Sequence, residues 1–420
     1  MKNIPRLRFP TFSDEWEKMR FSDFISYTKG FAFKSKDYQN DGVRIVRVSD
    51  LGYDSIKSSH GIYLDKSKVH SVEKYVIDEG DIIITTVGSR PELIDSSVGR
   101  GILVRKNGEG LLNQNLVKIN KCEKIKNKFL FGFFNTKKYF NYITQIQRGN
   151  ANQSNITLKE FFNYQVSIPS LPEQQKIADF LTAVNKRIEL LEKKKTLLET
   201  YKKGVMKKIF NQEIRFKDDN GNDFPDWEEY ILNELGGTLN GLTGKTKDDF
   251  DKGSCKYIQY KQVFGDSKID PNGFGLVDVG ETEKQTEMKY GDILFTTSSE
   301  TPNEIGMSSV FMSEIQNVYL NSFCFGFRPK SLENLIPNFS RFLFRSEKVR
   351  SSIVKLAQGS TRFNMSKTNF LKIRVRIPST DEQVKISEFL SSIDDQIELL
   401  DTQIDKSKTW KKGLLQKMFV

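Results

Sequence analysis

Residues that could do chemistry are few in this chain, and their spacing argues against most of it. His60 and His70 are the two histidines among 420 residues, and neither stands at a metal-ligand spacing. Both are expected on the surface. Cys122, Cys255 and Cys324 are isolated and odd in number, so neither a disulfide frame nor a zinc site is implied. Gly241-Leu242-Thr243-Gly244-Lys245-Thr246 ends like a phosphate-binding loop. That motif needs a glycine at position 239, which is Leu239, so a flexible domain-entry loop is expected instead. Gly80-Asp81 and Gly291-Asp292 read as turns leading into buried strands. No glycine-rich nucleotide fingerprint follows a strand. No catalytic residue and no metal ligand is assigned, and the chain is expected to recognise rather than react.

The elements that would hold such a recognition surface are written twice. Ile168-Pro169-Ser170-Leu171-Pro172-Glu173-Gln174-Gln175-Lys176-Ile177 returns 209 residues later as Ile377-Pro378-Ser379-Thr380-Asp381-Glu382-Gln383-Val384-Lys385-Ile386. Ile188-Glu189-Leu190-Leu191 likewise returns as Ile397-Glu398-Leu399-Leu400, and Lys202-Lys203-Gly204 as Lys411-Lys412-Gly413. A period this long is a duplicated domain plus a duplicated helix, not a solenoid unit. Four segments follow: mixed domains over 1–169 and 212–378, and helices over 170–211 and 379–420.

Within each domain, β-branched runs bounded by Gly and Asp predict short strands over Val43–Val48 and Ile82–Val87, with counterparts at Lys256–Val263 and Ile293–Thr297. A helix is expected around Phe129–Ile143 and another around Pro337–Ala357. In the long helices, Ser170-x-x-Glu173 and Ser379-x-x-Glu382 have capping-box spacing. Apolar positions then step 4-3-4-3 from Ile177 to Ile209 and from Ile386 to Met418, with Lys202 and Lys411 in the same slot. That seam predicts coiled-coil helices of about 55–60 Å each. They are expected to pair with each other, antiparallel, about a pseudo-two-fold axis; the alternative is that each packs on its own domain or on another subunit. The fold class is α+β.

The charge is unevenly placed. Residues 1–170 hold 27 basic against 18 acidic residues, and 213–380 hold 22 against 23. In the second domain, though, twelve basic residues fall between Arg328 and Arg376 against Glu333 and Glu347. The first domain has nine from Lys118 to Lys159. A basic face in the last third of each domain is the footprint of a polyanion partner. No apolar run reaches the roughly 20 residues that span a bilayer, and the start of the chain has no signal-peptide stretch, so a reducing cytoplasm is expected and no membrane partner.

Two mixed domains, each followed by Ile-Pro-x-x-x-Glu-Gln-x-x-Ile-x-x-x-Leu and a coiled-coil helix, resemble the specificity subunit of type I restriction-modification enzymes. Lys29-Gly30-Phe31-Ala32-Phe33-Lys34-Ser35, Arg47-Val48-Ser49-Asp50-Leu51, Gln147-Arg148-Gly149 and Gln358-Gly359-Ser360-Thr361-Arg362 fit the same family. Arg47–Leu51 has only a loose counterpart at Tyr257-Ile258-Gln259-Tyr260. The resemblance implies two pseudo-symmetric mixed α/β target recognition domains separated by two long helices forming an antiparallel coiled coil. It implies a bipartite, gapped target in double-stranded DNA, with the helix pair as spacer, in a bacterial cell. Methyltransferase subunits using S-adenosylmethionine, and restriction subunits using ATP and Mg, would be the partners; no cofactor is expected on this chain. Two other readings are a stand-alone methyltransferase or nuclease with a degenerate site, and a coiled-coil scaffold without a DNA role.

For reading bases, Arg, Asn, Gln and Ser on loops have the right donors and acceptors. The candidates are Ser89, Arg90, Arg148, Asn150, Asn152 and Gln153 in the first domain. In the second they are Ser298, Ser299, Gln358, Ser360, Thr361, Arg362 and Asn364. Lys137, Lys138 and Lys355 are candidates for phosphate. Glu173, Gln174, Glu382 and Gln383 serve first as helix-start residues and, through the family, as candidates for docking a methyltransferase subunit.

Overall fold

The structure is a computed structural model that describes residues 3–52, 55–57, 61–93, 97–150 and 153–420, with the side chain of Asn150 outside that description. His60 and Asn152 lie outside the described residues. Two compact units form: one holds the residues up to Lys193 together with Thr402–Val420, the other holds Lys194–Asp401.

The two units repeat one topology although their strand sequences differ. In the first, a four-stranded antiparallel sheet runs in the order Tyr27–Lys29, Leu116–Ile119, Ile82–Thr85, Gly101–Leu103. In the second, Gly236–Asn240, Cys324–Pro329, Ile293–Thr296 and Ser308–Val310 take the same order. The β-branched run Ile82–Thr85 is buried on both faces, as its continuous apolar pattern requires. A second sheet in each unit contains one parallel pair, Ile45 opposite Leu111 and Tyr257 opposite Tyr319. The expected strand at 256–263 is corrected: it ends at Ile258, and Tyr260–Gly265 is helical. Gln259 starts that helix by donating its N–H to the Gln262 side chain, as Arg47 does to Asp50. The turn is shared while the residue that closes it differs, Asp50 in one unit and Gln262 in the other.

Each helix expected in the last third is two helices. Asn127–Phe134 and Lys137–Ile146 part at Thr136, whose hydroxyl caps the second through the Tyr139 N–H at 3.2 Å. Pro337–Leu343 and Glu347–Val354 part at Ser346 in the same way. A small hydroxyl side chain competing for the backbone is enough to end one helix and start the next. Phe129 and Phe133 in one unit, and Phe339, Phe342 and Phe344 in the other, are almost fully buried. Each phenylalanine group fills the core under the long helices.

The long helices span Leu171–Phe210 and Thr380–Met418, starting where the repeat placed them. In the first unit, Ile177, Leu181, Val184 and Ile188 share one core with Leu414 and Met418. Glu192 pairs with Lys408 at 2.8 Å, and the Phe180 and Trp410 rings meet edge to face. In the second unit, Ile209 and Phe210 share a core with Ile386, Leu390 and Ile393. Lys195 pairs with Asp401 at 2.6 Å and Lys202 with Asp394. Numbers rise along one helix as they fall along the other, so the pairing within each unit is antiparallel. The expected pairing is present within each unit, and the start of each helix also packs on its own domain. The seam lysines are the reason the pairing tolerates charge, because Lys195 and Lys202 each find an aspartate across it.

Candidate nucleic-acid interface

The helix starts show how each domain is held to its own long helix. Glu173 and Gln174, like Glu382 and Gln383, are at most 1% exposed. The Gln174 side chain accepts from the Lys126 N–H at 2.9 Å and donates to the carbonyls of Lys124 and Pro169. Gln383 does the same with Ile336, Asn334 and Pro378. Each glutamine thus ties its long helix to the first turn of the domain's late helices. The glutamates do not close capping boxes. Arg8 grips Glu173 through two bonds of 2.7 Å, and Arg215 grips Glu382 at 3.2 and 2.7 Å, joined there by the Trp227 indole N–H. The Ser379 hydroxyl is left buried and without a partner. The docking expected of these four side chains is corrected on the same ground, since a side chain with no exposed surface offers none to a partner. The arginine lock was missed in the sequence, where its signal was Arg8-Phe9 recurring as Arg215-Phe216.

The candidate loops converge. In the first unit, Val87–Gly88 pairs with Gln153–Asn155, which pairs with Arg148–Asn150 in a three-stranded sheet. Ser89 and the exposed Arg90 follow directly from its edge strand. Arg148 and Gln153 are exposed, and Arg148 is 2.5 Å from Glu160, whose carboxyl Thr157 and Arg148 hold below the usual range. In the second unit, Ser298–Ser299 pairs with Phe363–Asn364, and Gln358 and Asn364 exchange both backbone bonds. Gln358, Ser360, Thr361, Arg362 and Asn364 are exposed around this strand pair. Gly149 (φ 122°) and Gly359 (φ 129°) make the turns. A Cβ on Gly359 would stand 2.1 Å from the Arg362 carbonyl oxygen. Gly359→Ala is therefore expected to cost about 1–3 kcal/mol of local order, seen as faster amide exchange at 358–364 with the rest of the chain unchanged.

Not every candidate belongs to this surface. Ser298 and Ser299 are 7% and 6% exposed, and the Ser299 hydroxyl donates to the Thr301 carbonyl, so their proposed base reading is corrected. Lys355 is exposed at the C-terminus of Glu347–Val354, beside Gln358. Lys137 and Lys138 are exposed too, but they open the helix that ends at Ile146. Ten residues of helix put them about 15 Å from Arg148, and the Lys138 ammonium meets the Val420 carbonyl instead.

The basic stretch of the second unit is also thinner than its count. Arg328 forms a two-point pair with Asp292 at 2.7 and 2.6 Å. Arg341 pairs with Asp394, and Arg374 with Glu229. Arg345 donates to the carbonyls of Val263, Phe264, Gly265, Asp266 and Ser308, and Arg350 to those of Asn303, Ile305 and Gly306. Burial brings both guanidinium groups down to about 10, so they stay charged at neutral pH. These arginines staple loops in place. Lys355 and Arg362 are left on the outer surface near the candidate strands.

Other residues singled out above resolve into structure. Asp81 accepts from the Asp78 N–H and lies 3.6 Å from Lys118, while Asp292 accepts from the Lys289 N–H. Gly241 lies against the Asn321 carbonyl as Gly30 lies against that of Asn113, which is why both are glycine. Lys245 is committed to Glu283 at 2.6 Å, and with the Gly280 N–H and Gln285 it brings that carboxyl down to about 2. The folded value lies below the ordinary glutamate value of 4.5, so this tie is in place above about pH 4.5 and is lost as pH falls towards 2. Amide exchange at 243–246 is expected to quicken in that window and to be flat from pH 5 to 8. His70 is exposed. No helix among the described residues is long and apolar enough to cross a membrane.

Two copies of one recognition domain, each locked to the start of a long helix and each joining two distant polar segments on one small strand pair, define the class. The model of the type I restriction modification DNA specificity domain matches the chain twice, over residues 13–200 and 225–407. The chain belongs to that family. The MjaVIII type I restriction enzyme specificity subunit of Methanocaldococcus jannaschii is 25% identical, covering 99% of this chain and 93% of the relative. The EcoBI specificity subunit of Escherichia coli is 22% identical over 96% of this chain and 84% of its own. The S subunit of a type I restriction-modification system from M. genitalium has the same fold, with a TM-score of 0.57 at 15% identity over 99% of both chains. A chain solved for complex assembly and conformational transition of the type I R-M system aligns with a TM-score of 0.58 at 17% identity, over 96% of this chain and 97% of that one.

Proposed function

We propose that this chain selects a bipartite, gapped sequence in double-stranded DNA for a type I restriction-modification complex. Each unit reads one half of the target, and the paired helices set the gap. The chain itself is non-catalytic. Methyltransferase subunits carry S-adenosylmethionine, restriction subunits carry ATP and Mg, and both dock on this chain in the bacterial cytoplasm. The observation that carries the reading is the convergence of two polar segments on one strand pair in each unit, Gly88 opposite Ser154 and Ser298 opposite Asn364. Sequence readers need side chains that a rigid scaffold presents to base edges, and phosphate contacts that hold register without reading. Candidates for reading are Arg90, Arg148 and Gln153 in one unit, with Gln358, Thr361, Arg362 and Asn364 in the other; Lys355 is placed for phosphate.

The test is copurification with a methyltransferase subunit followed by mapping of methylated adenines. One motif with two short halves and a fixed gap is expected. Methylation or cleavage by the purified chain alone would overturn the division of labour, and DNA binding that does not weaken with salt would overturn the interface.

A further inference from the structure

The second unit has a cleft of about 290 Å³ beside its reading strands, and the cleft is chemically uneven. Tyr260 and Phe264 stack on one side with rings 17° apart, and the Tyr260 hydroxyl donates to the Ser298 carbonyl at 2.7 Å. Phe323 stands out into the opening, 55% exposed. The Arg362 guanidinium lies over its ring at 5.9 Å. Glu300 and Glu304 complete the lining, Glu304 accepting from the Thr301 hydroxyl at 2.8 Å.

Ser299 opposite Phe363 is the last pair of that ladder; Glu300 directly follows one strand, Arg362 directly precedes the other, and both line the same cleft. Opposite charges lining one small cleft can be expected to pair with each other. Here, among the described residues, neither side chain makes an ion pair or a hydrogen bond; both are exposed, and Arg362 rests on an aromatic ring instead. A carboxylate on a surface facing phosphates is repelled unless it meets a donor, and the donors on DNA are the amino groups of bases.

On the reading proposed above, we infer that Glu300 and Arg362 together read one G·C base pair in the half-site of the second unit. In the major groove that pair offers two acceptors on guanine, O6 and N7, and one donor on cytosine, N4. Arg362 supplies two parallel N–H donors and Glu300 the acceptor. The Phe323 ring, 5.9 Å from the guanidinium, offers it a face to lie over at the mouth of the cleft.

The experiment compares methylated motifs in cells carrying the chain with its methyltransferase subunit, as wild type, Glu300→Gln, Glu300→Ala and Arg362→Ala. The expected result is relaxation at a single G·C pair of one half-site, with roughly 10- to 100-fold lost discrimination there and the other half-site and the gap unchanged. Unchanged motifs in all three variants overturn the proposal. So does uniform loss of methylation at every position in variants whose thermal melts match wild type. A wild-type chain that directs no sequence-specific methylation defeats the specificity reading itself, a separate and distinguishable failure.

Discussion

A seven-residue insertion made in both long helices is expected to widen the gap in the recognised sequence by about three base pairs, with both half-sites unchanged. The insertion points are Lys193–Lys194 and Asp401–Thr402, where each helix leaves one compact unit and enters the other. Seven residues keep the 4-3 seam in phase, so apolar positions still meet apolar positions. They add about 10.5 Å of helix at 1.5 Å per residue, against 3.4 Å per base pair along duplex DNA. The same insertion in the first helix alone leaves that helix seven residues longer between the two units, so the Glu192–Lys408 and Lys195–Asp401 pairings cannot both be kept along one continuous seam, and it is expected to weaken folding. Mapping methylated adenines reads the outcome. An unchanged gap with the doubled insertion would sink the helix pair as the spacer.

Removing the carboxylate of Glu382 is expected to have the largest effect on stability, about 3 kcal/mol. Glu382 is fully buried and receives Arg215 through two bonds and Trp227 through a third. Glu382→Ala leaves a guanidinium at 23% exposure with only the exposed Asp226 at 3.4 Å as an anion, and an indole N–H that has lost its acceptor. The double change Arg215→Met with Glu382→Leu removes both charges and is expected to recover most of the loss, because the cost lies in the uncompensated charge more than in the missing pair. Urea titration of the full chain measures both. The second unit's transition should move to lower denaturant in the single variant and return in the double. A single variant that unfolds like wild type would show that the lock does not hold the domain to its helix. Glu173→Ala tests the first unit, where Arg8 makes the same two-point grip.

The degree to which the site was legible differs residue by residue. Thr86–Arg90 with Thr297–Glu300, and Arg148–Asn155 with Gln358–Asn364, were visible as matched polar loops because both copies carry them in the same order; that the two loops of one domain meet on one strand pair was not. What each side chain does there was not visible. Ser298 and Glu300 are two residues apart in one loop, yet the serine lies within the strand pair and is buried while the glutamate, just past the strand's end, is exposed. Arg345 and Arg362 look equivalent in a charge count, but Arg345 collects five backbone carbonyls while Arg362 stays on the surface. Glu382 reads as a capping-box residue from its spacing alone; a partner 167 positions away takes it instead.

By itself the sequence determined the duplication, the start and seam of both long helices, the strand–strand–helix grammar of each domain and the family. These rest on local periodicity and on short motifs, which act within one element and are repeated in the chain. Only the tertiary structure decided which charges face outward, which glutamates are locked, and that Glu300 and Arg362 share one cleft without pairing. Those outcomes depend on which donor meets which acceptor after distant segments fold together. A buried polar group takes whichever partner the packing brings, however far along the chain that partner lies.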